Sequence, residues 1–454
     1  ILVLGTDPLH SSPILDLRVR KAIRRNGARL LVATERPTAL DGGAEAIARF
    51  APGQAAHFVG ELTRALGGEE TVGTPLAETL REAGRVVVLW GERIGAEAQG
   101  ALLGLAAALR IAETDGAGLL EIPEFANARG LREAGCLPDA APGLAATEAG
   151  MGTERIRAAL QDRELAGLIL VGVDPLRDFP DSGAWEEALN AAGFVVALST
   201  FETATAAKAD VLFPLETHAE KDGTVTHPDG RLQRVRPSAG RPGDIRPGFL
   251  LLSELAEALG LTTGVYSQPT AFEALREAVP FYADVTDELI GGKGIRWQET
   301  EAAANAPAVE AAGAASSEAS ARPKQVEGVG AGSADTQPGR ASDEPAPAPS
   351  LALGTYRDLW AGPITELNPP LRFLKPQQRL EVSVADAERL ELQSGDRVRV
   401  GRDGAAVEAR VVVRERVPNG VCFLAEGVAP GNANALRNGG PARVEIEKLS
   451  EVPA

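Results

Sequence analysis

Val3-Leu4-Gly5-Thr6-Asp7-Pro8 and Leu170-Val171-Gly172-Val173-Asp174-Pro175 are two copies of one pattern, an apolar run that ends in Gly-x-Asp-Pro. An apolar run without alternation is what a strand covered on both faces requires. Glycine followed by Asp-Pro reads as a sharp exit into a helix, with Asp as N-cap and Pro at the first helical position. After each copy a helical stretch leads to a second apolar run. That run is opened by Gly27 in the first case and Gly193 in the second, 22 and 21 positions beyond the respective glycine. Two matched α/β units are implied.

The same reading extends over residues 1–297. Strands are predicted at 1–4, 29–33, 85–90, 168–171, 194–198 and 211–213, and helices at 12–25, 54–66, 97–110, 153–162, 183–192 and 249–259. Strands alternating with helices give a mostly parallel sheet in three layers. Residues 298–350 change character: Val309, Val326 and Val329 are the only bulky apolar side chains from 299 to 350, among Ala, Pro, Ser, Gly and Glu. So little apolar surface cannot offset the entropy of ordering, and a disordered linker is predicted, with a partly helical Ala-Glu stretch near 301–320 as the weaker alternative. From 351 to 454 short alternating runs at 379–384, 397–400, 406–413, 421–424 and 442–446 are separated by Ser394-Gly395-Asp396, Arg402-Asp403-Gly404 and Pro418-Asn419-Gly420. Such spacing predicts a small closed β barrel with a short helix at 385–390.

Composition narrows the function classes. The 454 residues carry 46 Lys plus Arg against 63 Asp plus Glu, a formal charge of −17, so no basic footprint for nucleic acid exists. No run of 18 apolar residues predicts a membrane span. Cys136 and Cys422 cannot hold an iron-sulfur cluster by themselves, and His10, His57, His218 and His227 form no ligand pairs. Both cysteines read as isolated buried thiols in a reducing compartment, and no metal site is predicted. The chain opens at Ile1 with Ile-Leu-Val-Leu already a buried strand, which reads as a fragment.

Gly5, Asp7, Gly172 and Asp174 stand at the carboxyl ends of strands, where open parallel sheets bind ligands. Glycine would let backbone N–H groups approach a phosphate, yet the Asp carboxylates can cap the helices themselves, and this structural reading outweighs the other. The most polar stretch, 209–233, runs from a strand into a loop holding Glu220, Lys221, Asp222, Gly223, Asp229, Gly230, Arg231 and Gln233. It reads either as a solvated loop or as the lining of a polar cofactor cleft. His227 and Arg231 are weak candidates for proton transfer and carboxylate binding. No Ser-His-Asp or paired-carboxylate arrangement repeats elsewhere, and no catalytic residue is assigned.

Val-Leu-Gly-Thr-Asp-Pro, Ala-Asp-Val-Leu-Phe-Pro-Leu (209–215), Glu-Lys-Asp-Gly-Thr (220–224) and Asp-Gly-Arg-Leu-Gln (229–233) resemble, in order, the molybdopterin oxidoreductase family. Residues 386–400 resemble that family's C-terminal dinucleotide-binding barrel, of double-psi type. Phe125 to Pro138, and Leu359-Trp360, are similar to the G subunits of NADH-quinone oxidoreductase (complex I). The resemblance implies a framework that has lost the molybdenum cofactor and holds no cofactor here. Iron-sulfur clusters would lie upstream of Ile1, and the partners would be other peripheral-arm subunits of a respiratory complex on the inner face of the plasma membrane. Ser383 and His227 stand where enzymes of the family commonly carry Asn, which weakens a pterin site. Gly5, Asp7, Gly172 and Asp174 would then be vestigial. The alternative is an active molybdenum or tungsten enzyme such as a formate dehydrogenase alpha subunit.

Overall fold

The computed structural model describes residues 1–243, 245–307, 350–440 and 442–450. The first unit is a five-stranded parallel sheet of β1 (Leu2–Leu4), β2 (Leu31–Thr34), β3 (Ala46–Arg49), β4 (Val87–Gly91) and β5 (Gly118–Ile122), in the order β3-β2-β1-β4-β5. Leu2 and Leu4 point to one face, into a core with Leu31, Ala33 and Val88 and the helices Ala55–Leu66, Thr74–Glu82 and Gly95–Ala108. Val3 points to the other, with Val32, Leu89 and Val19 of the helix Pro13–Asn26. Three layers follow from that alternation, and each fully buried Leu contributes about 1.5–3 kcal/mol. The helix Pro13–Asn26 stops at Gly27, whose φ of +67° suits the left-handed C-cap. A two-residue ladder of β6 (Ala140–Ala141) and β7 (Ala145–Ala146) follows the first unit.

The second unit repeats the design on a smaller scale: β8 (Gly167–Val171), β9 (Phe194–Ser199) and β10 (Val211–Pro214) pair in parallel in the order β10-β9-β8. The helix Ser182–Ala191 covers one face through Leu189, against Leu170, Val195 and Ala197.

Three regions depart from expectation. The loop predicted after β10 folds into an antiparallel sheet of β11 (Gly223–Thr226), β12 (Arg231–Val235) and β13 (Ile295–Arg296), turning at Gly230 with φ +84°. Its core is Leu232, Phe272, Val279, Phe281 and Tyr282, supplied partly by an unpredicted helix, Gln268–Ala278, whose cap Ser267 and Thr270 form a reciprocal box. Of the stretch 298–350 read as linker, residues to 307 are described and include the turn Glu301–Asn305, fixed where Ala302 N–H donates to Asp284 at 2.7 Å. Ser350 already opens a strand. The rest of that expectation lies outside the described residues. Finally, β3 and β5 lie outside the predicted strands, since Arg49 in Ala46–Arg49 and Gly118 and Glu121 in Gly118–Ile122 break the apolar run that marks the others.

The barrel closes in the order β14-β18-β15-β17-β16-β19, from β14 (Ser350–Arg357), β15 (Arg379–Val382), β16 (Arg397–Arg402), β17 (Ala405–Val413), β18 (Val421–Glu426) and β19 (Ala442–Lys448). Pairing is mixed, with β14 parallel to β18 and β15 parallel to β17. The fold is thus α/β with a closed C-terminal barrel, as expected, and β14 adds a sixth strand to the five predicted there. Ser383 caps the short helix Val384–Arg389, accepting from Asp386 N–H at 3.0 Å and donating to its carboxylate at 2.8 Å.

The motif 125–138 proves to be a joint. Asn127 accepts Thr226 N–H at 2.8 Å, and a Cβ on Gly130 would run into the Asn127 side chain. Glu133, buried, accepts from Arg129 at 2.8 Å, from Trp297 Nε1 at 3.1 Å and from the Tyr282 hydroxyl. Its carboxylate therefore gathers three donors from three segments. Cys136 is exposed, correcting the expectation of burial, and its N–H closes the preceding helix on Leu131 at 2.9 Å. Cys422 is buried as expected. Replacing Glu133→Ala leaves a guanidinium, an indole N–H and a hydroxyl without their shared acceptor, and should cost about 3 kcal/mol, read as a lowered midpoint in urea unfolding; a loss under about 1 kcal/mol would refute the joint.

Candidate functional site

Both Gly-x-Asp-Pro turns face the barrel, and the space between them forms two neighbouring cavities that share Arg93, Glu124 and Arg357. The one beside Gly5 has a volume of about 130 Å³ and is lined also by Asp7, His10, Glu35, Arg36, Ile94 and Tyr356. The one beside Gly172 has about 520 Å³ and is lined by Asp174, Arg177, Asp178, His218, Glu426 and Asn434 among others. Gly5 and Asp7 line the first of these cavities and Gly172 and Asp174 the second. Gly5 and Gly172 take φ of +60° and +65°, which glycine adopts without strain.

The Asp residues are already engaged. Asp7 accepts Leu9 N–H at 3.2 Å and caps the four-residue helix Pro8–Ser11. Asp174 accepts the Thr205 hydroxyl and lies 3.6 Å from Arg177. Ile94 presses on the Gly5 turn so closely that a Cβ there would run into its Cγ2.

What fills the junction is a set of ion pairs that sequence reading missed. Arg36, just after β2, grips Glu381 of β15 with two hydrogen bonds of 2.7 and 2.9 Å and lies 3.8 Å over the Tyr356 ring. Arg93, after β4, bonds Glu124 and also Glu426 of β18, the latter at 2.5 Å. Arg437 holds the other oxygen of Glu426 at 2.7 Å. Arg177, after β8, pairs with Glu366 at 2.7 Å and donates to Gly427 C=O at 2.8 Å, while its own carbonyl accepts from Asn432 and Asn434, both at 2.7 Å. The pairs that Arg36, Arg93 and Arg177 make with Glu381, Glu426 and Glu366 join residues 345, 333 and 189 positions apart, so no local pattern could have announced them.

Burial alone would raise the carboxyl of Glu381; the hydrogen bonds and charge of Arg36, with Arg414 beyond, outweigh it and hold it below the ordinary range. Glu426 behaves likewise between Arg93 and Arg437. Burial pushes Asp7 and Glu35 up, and burial together with the charge of Asp174 does the same for Asp178. Burial also pushes the Cys422 thiol up, leaving it unreactive.

A pterin dinucleotide needs room and free donors for its pyrophosphate. The cavity beside Gly5 is smaller than the roughly 300–1,000 Å³ of ordinary ligand sites, its helix start is occupied by the Asp7 carboxylate, and its wall is Ile94. The larger cavity has the volume, but four carboxylates (Glu124, Asp174, Asp178, Glu426) face three guanidiniums there (Arg93, Arg177, Arg357). Such a balance opposes a polyanion. The residues present do not fit a pair of such groups. Of the polar stretch 209–233 only His218 lines either cavity. His227 instead bonds Asp229 at 2.7 Å, and Arg231 donates to Gly294 C=O at 3.1 Å. No group of three or more His, Cys, Asp or Glu able to hold a metal ion occurs among the described residues.

Residues 1–258 match the family model for molybdopterin oxidoreductases, and residues 351–446 that for molybdopterin dinucleotide binding domains. The chain belongs to the molybdopterin oxidoreductase family. A G subunit of NADH-quinone oxidoreductase from Rhizobium meliloti, the second of that name, is 27% identical over 99% of this chain and 55% of its own length. The corresponding G subunit from Mycobacterium bovis is 35% identical over 61% of this chain and 35% of its own. F420-dependent formate dehydrogenase 2 subunit alpha of Methanococcus maripaludis is 29% identical over 60% of this chain and 40% of its own. The chain thus spans about half, or less, of the length of these relatives. Acetylene hydratase from Pelobacter acetylenicus shares the fold, with a TM-score of 0.56 at 12% identity, covering 96% of this chain and 73% of that one.

The lowered carboxyls set an acid limit. A carboxyl whose pKa falls on folding stabilises above its unfolded value and stops doing so as pH drops through the folded one. The stabilisation from Glu381 and Glu426 is therefore complete above their ordinary value of 4.5 and lost below it. Asp7, Glu35 and Asp178 act with the opposite sign and favour mildly acid pH. Thermal unfolding followed from about pH 7 to about pH 3 should show a steep fall below 4.5 that Glu381→Gln and Glu426→Gln together flatten; an unchanged slope would refute these pairs as its source.

Proposed function

We propose that these residues form a non-reacting framework within the G subunit of an NADH-quinone oxidoreductase, supporting electron transfer from NADH through iron-sulfur centres to quinone. The observation that carries this reading is the junction itself, where a family built around a cofactor cleft here has Ile94 against Gly5 and arginine–carboxylate pairs between the α/β units and the barrel. Relatives named as G subunits support it. Electron tunnelling is steeply sensitive to separation, so a framework that keeps its neighbours rigid serves the reaction without reacting. Its partners would be other peripheral-arm subunits, on the inner face of the plasma membrane. Among the described residues no helix is long and apolar enough to cross a membrane. The clusters would reside in polypeptide upstream of Ile1.

One observation favours the alternative, a molybdenum or tungsten oxidoreductase of the formate dehydrogenase kind: the cavity of about 520 Å³ beside Gly172.

Elemental analysis of the protein purified from its source organism separates the two. The framework reading expects no stoichiometric molybdenum or tungsten and no pterin fluorescence after acid release, with NADH-dependent quinone reduction by the assembly it is purified in. One metal per chain would overturn it.

A further inference from the structure

The outer face of the barrel carries a row of arginines. Arg379 of β15 and Arg397 of β16 both stand opposite Arg410 of β17, and all three are exposed. Like charges directly opposite one another weaken a sheet, yet here three cations fall in one line, in a chain whose formal charge is −17. Glu408 answers Arg397 at 2.8 Å. Arg410 donates to the Gly395 carbonyl at 3.2 Å, and among the described residues neither it nor Arg379 is paired with a carboxylate.

Arg397 and Arg410 open onto a cavity of about 450 Å³, within the roughly 300–1,000 Å³ of small-molecule sites. The segment leading into β15 lines it too and brings Arg372 and Lys375. Arg372 Nε donates to the Glu366 carbonyl at 3.3 Å, and among the described residues neither Arg372 nor Lys375 is paired with a carboxylate. Four cations therefore line this space with one carboxylate, Glu408, the reverse of the balance beside Gly172. The segment after β18 is the partition between the two cavities: Gly427 lines the one beside Gly172, and Val428, Ala429 and Pro430 line this one. That partition is firmly held. Buried Gln378 donates to the carbonyls of Ala425 at 2.7 Å and Gly431 at 2.6 Å, and accepts the N–H groups of Arg379 and Ala425, both at 3.0 Å. The full capacity of its amide is spent on fixing the floor of the site. Ala429 N–H adds a bond to the Glu366 carboxylate at 3.2 Å.

We propose that this cavity binds a small anion bearing a diphosphate, held by Arg372, Lys375, Arg397 and Arg410. Guanidiniums take phosphate oxygens in pairs, and the ammonium adds a compact point charge. A bound diphosphate offsets the repulsion between Arg397 and Arg410 that the sheet otherwise carries. A lone carboxylate or monophosphate leaves most of the four cations unanswered, and an extended acidic peptide needs a groove, whereas these cations line one preformed space. Glu408 is already engaged by Arg397. Pro376, Val428 and Pro430 give the cavity an apolar side that accommodates an organic remainder. The diphosphate thus has two sources, inorganic pyrophosphate and a nucleoside diphosphate. The inference rests on the barrel's outer face and is independent of the electron-transfer reading.

Lys375 reports on the site. In the full-length protein purified from its source, acetylation of Lys375 by a water-soluble active ester, read by mass spectrometry, should slow at least about fivefold in saturating pyrophosphate, while exposed Lys293 reacts at an unchanged rate. Sodium chloride at matched ionic strength, and adenosine, should leave Lys375 as reactive as before. ADP protecting at about a tenfold lower concentration than pyrophosphate assigns the nucleotide as the source, and equal protection assigns the free anion; either outcome upholds the site. No protection by pyrophosphate or ADP, or equal protection by salt or adenosine, would overturn it. The Arg397→Gln, Arg410→Gln variant should lose the protection yet unfold in urea at or above the wild-type midpoint, because a repulsive pair is removed. Arg372→Gln, outside the sheet, should weaken protection with strand pairing untouched; undiminished protection in both variants would refute the assignment.

Discussion

Three buried carboxylates on the barrel side, Glu366, Glu381 and Glu426, hold this molecule together, each met by an arginine from an α/β unit. A carboxylate removed from water without a partner is costly enough that the fold does not tolerate it. The barrel must therefore sit where Arg36, Arg93 and Arg177 can reach it. The arginines stand just beyond the carboxyl ends of β2, β4 and β8, so both sheets are oriented with those ends toward the barrel. Buried pairs of this kind are weak evidence for net stability, but they admit one docking geometry and penalise its neighbours.

The same geometry governs what the cleft can do. In open α/β sheets the carboxyl ends of the strands are where ligands bind, because helix starts and turn glycines present unpaired donors there. Here the donors are spent: the Asp7 carboxylate takes the N–H of Leu9, the carbonyl of Arg177 is bracketed by Asn432 and Asn434, and the guanidiniums face carboxylates. Architecture inherited from a cofactor-binding family is compatible with a framework role when its polar groups are satisfied internally.

The joint around Glu133 applies the same rule away from the cleft. Its single carboxylate serves Arg129, Trp297 and Tyr282, drawn from three separated segments, so the motif 125–138 stands out in sequence for a packing reason. Polar residues at close spacing invite a catalytic reading, and burial with full pairing argues for a structural one.

Local physics made much of the fold legible. Val3-Leu4-Gly5-x-Asp7-Pro8 and its copy specify strand, left-handed turn and helix from residue types alone, although only Asp7 of the two Asp residues caps its helix, and the barrel's glycine turns at Gly395, Gly404 and Gly420 all take positive φ. The antiparallel sheet after β10 was not legible, since its half-buried strands acquire a core only when Phe272, Phe281 and Tyr282 arrive from later in the chain. Nor was the clamp: Arg36 and Glu381 are 345 positions apart, and nothing short-range distinguishes them from surface charges. Sequence alone determined the duplicated turns, because their causes lie within a few residues. Only the tertiary structure decided that the space between those turns is closed by ion pairs, because burial and charge pairing depend on which distant segments meet.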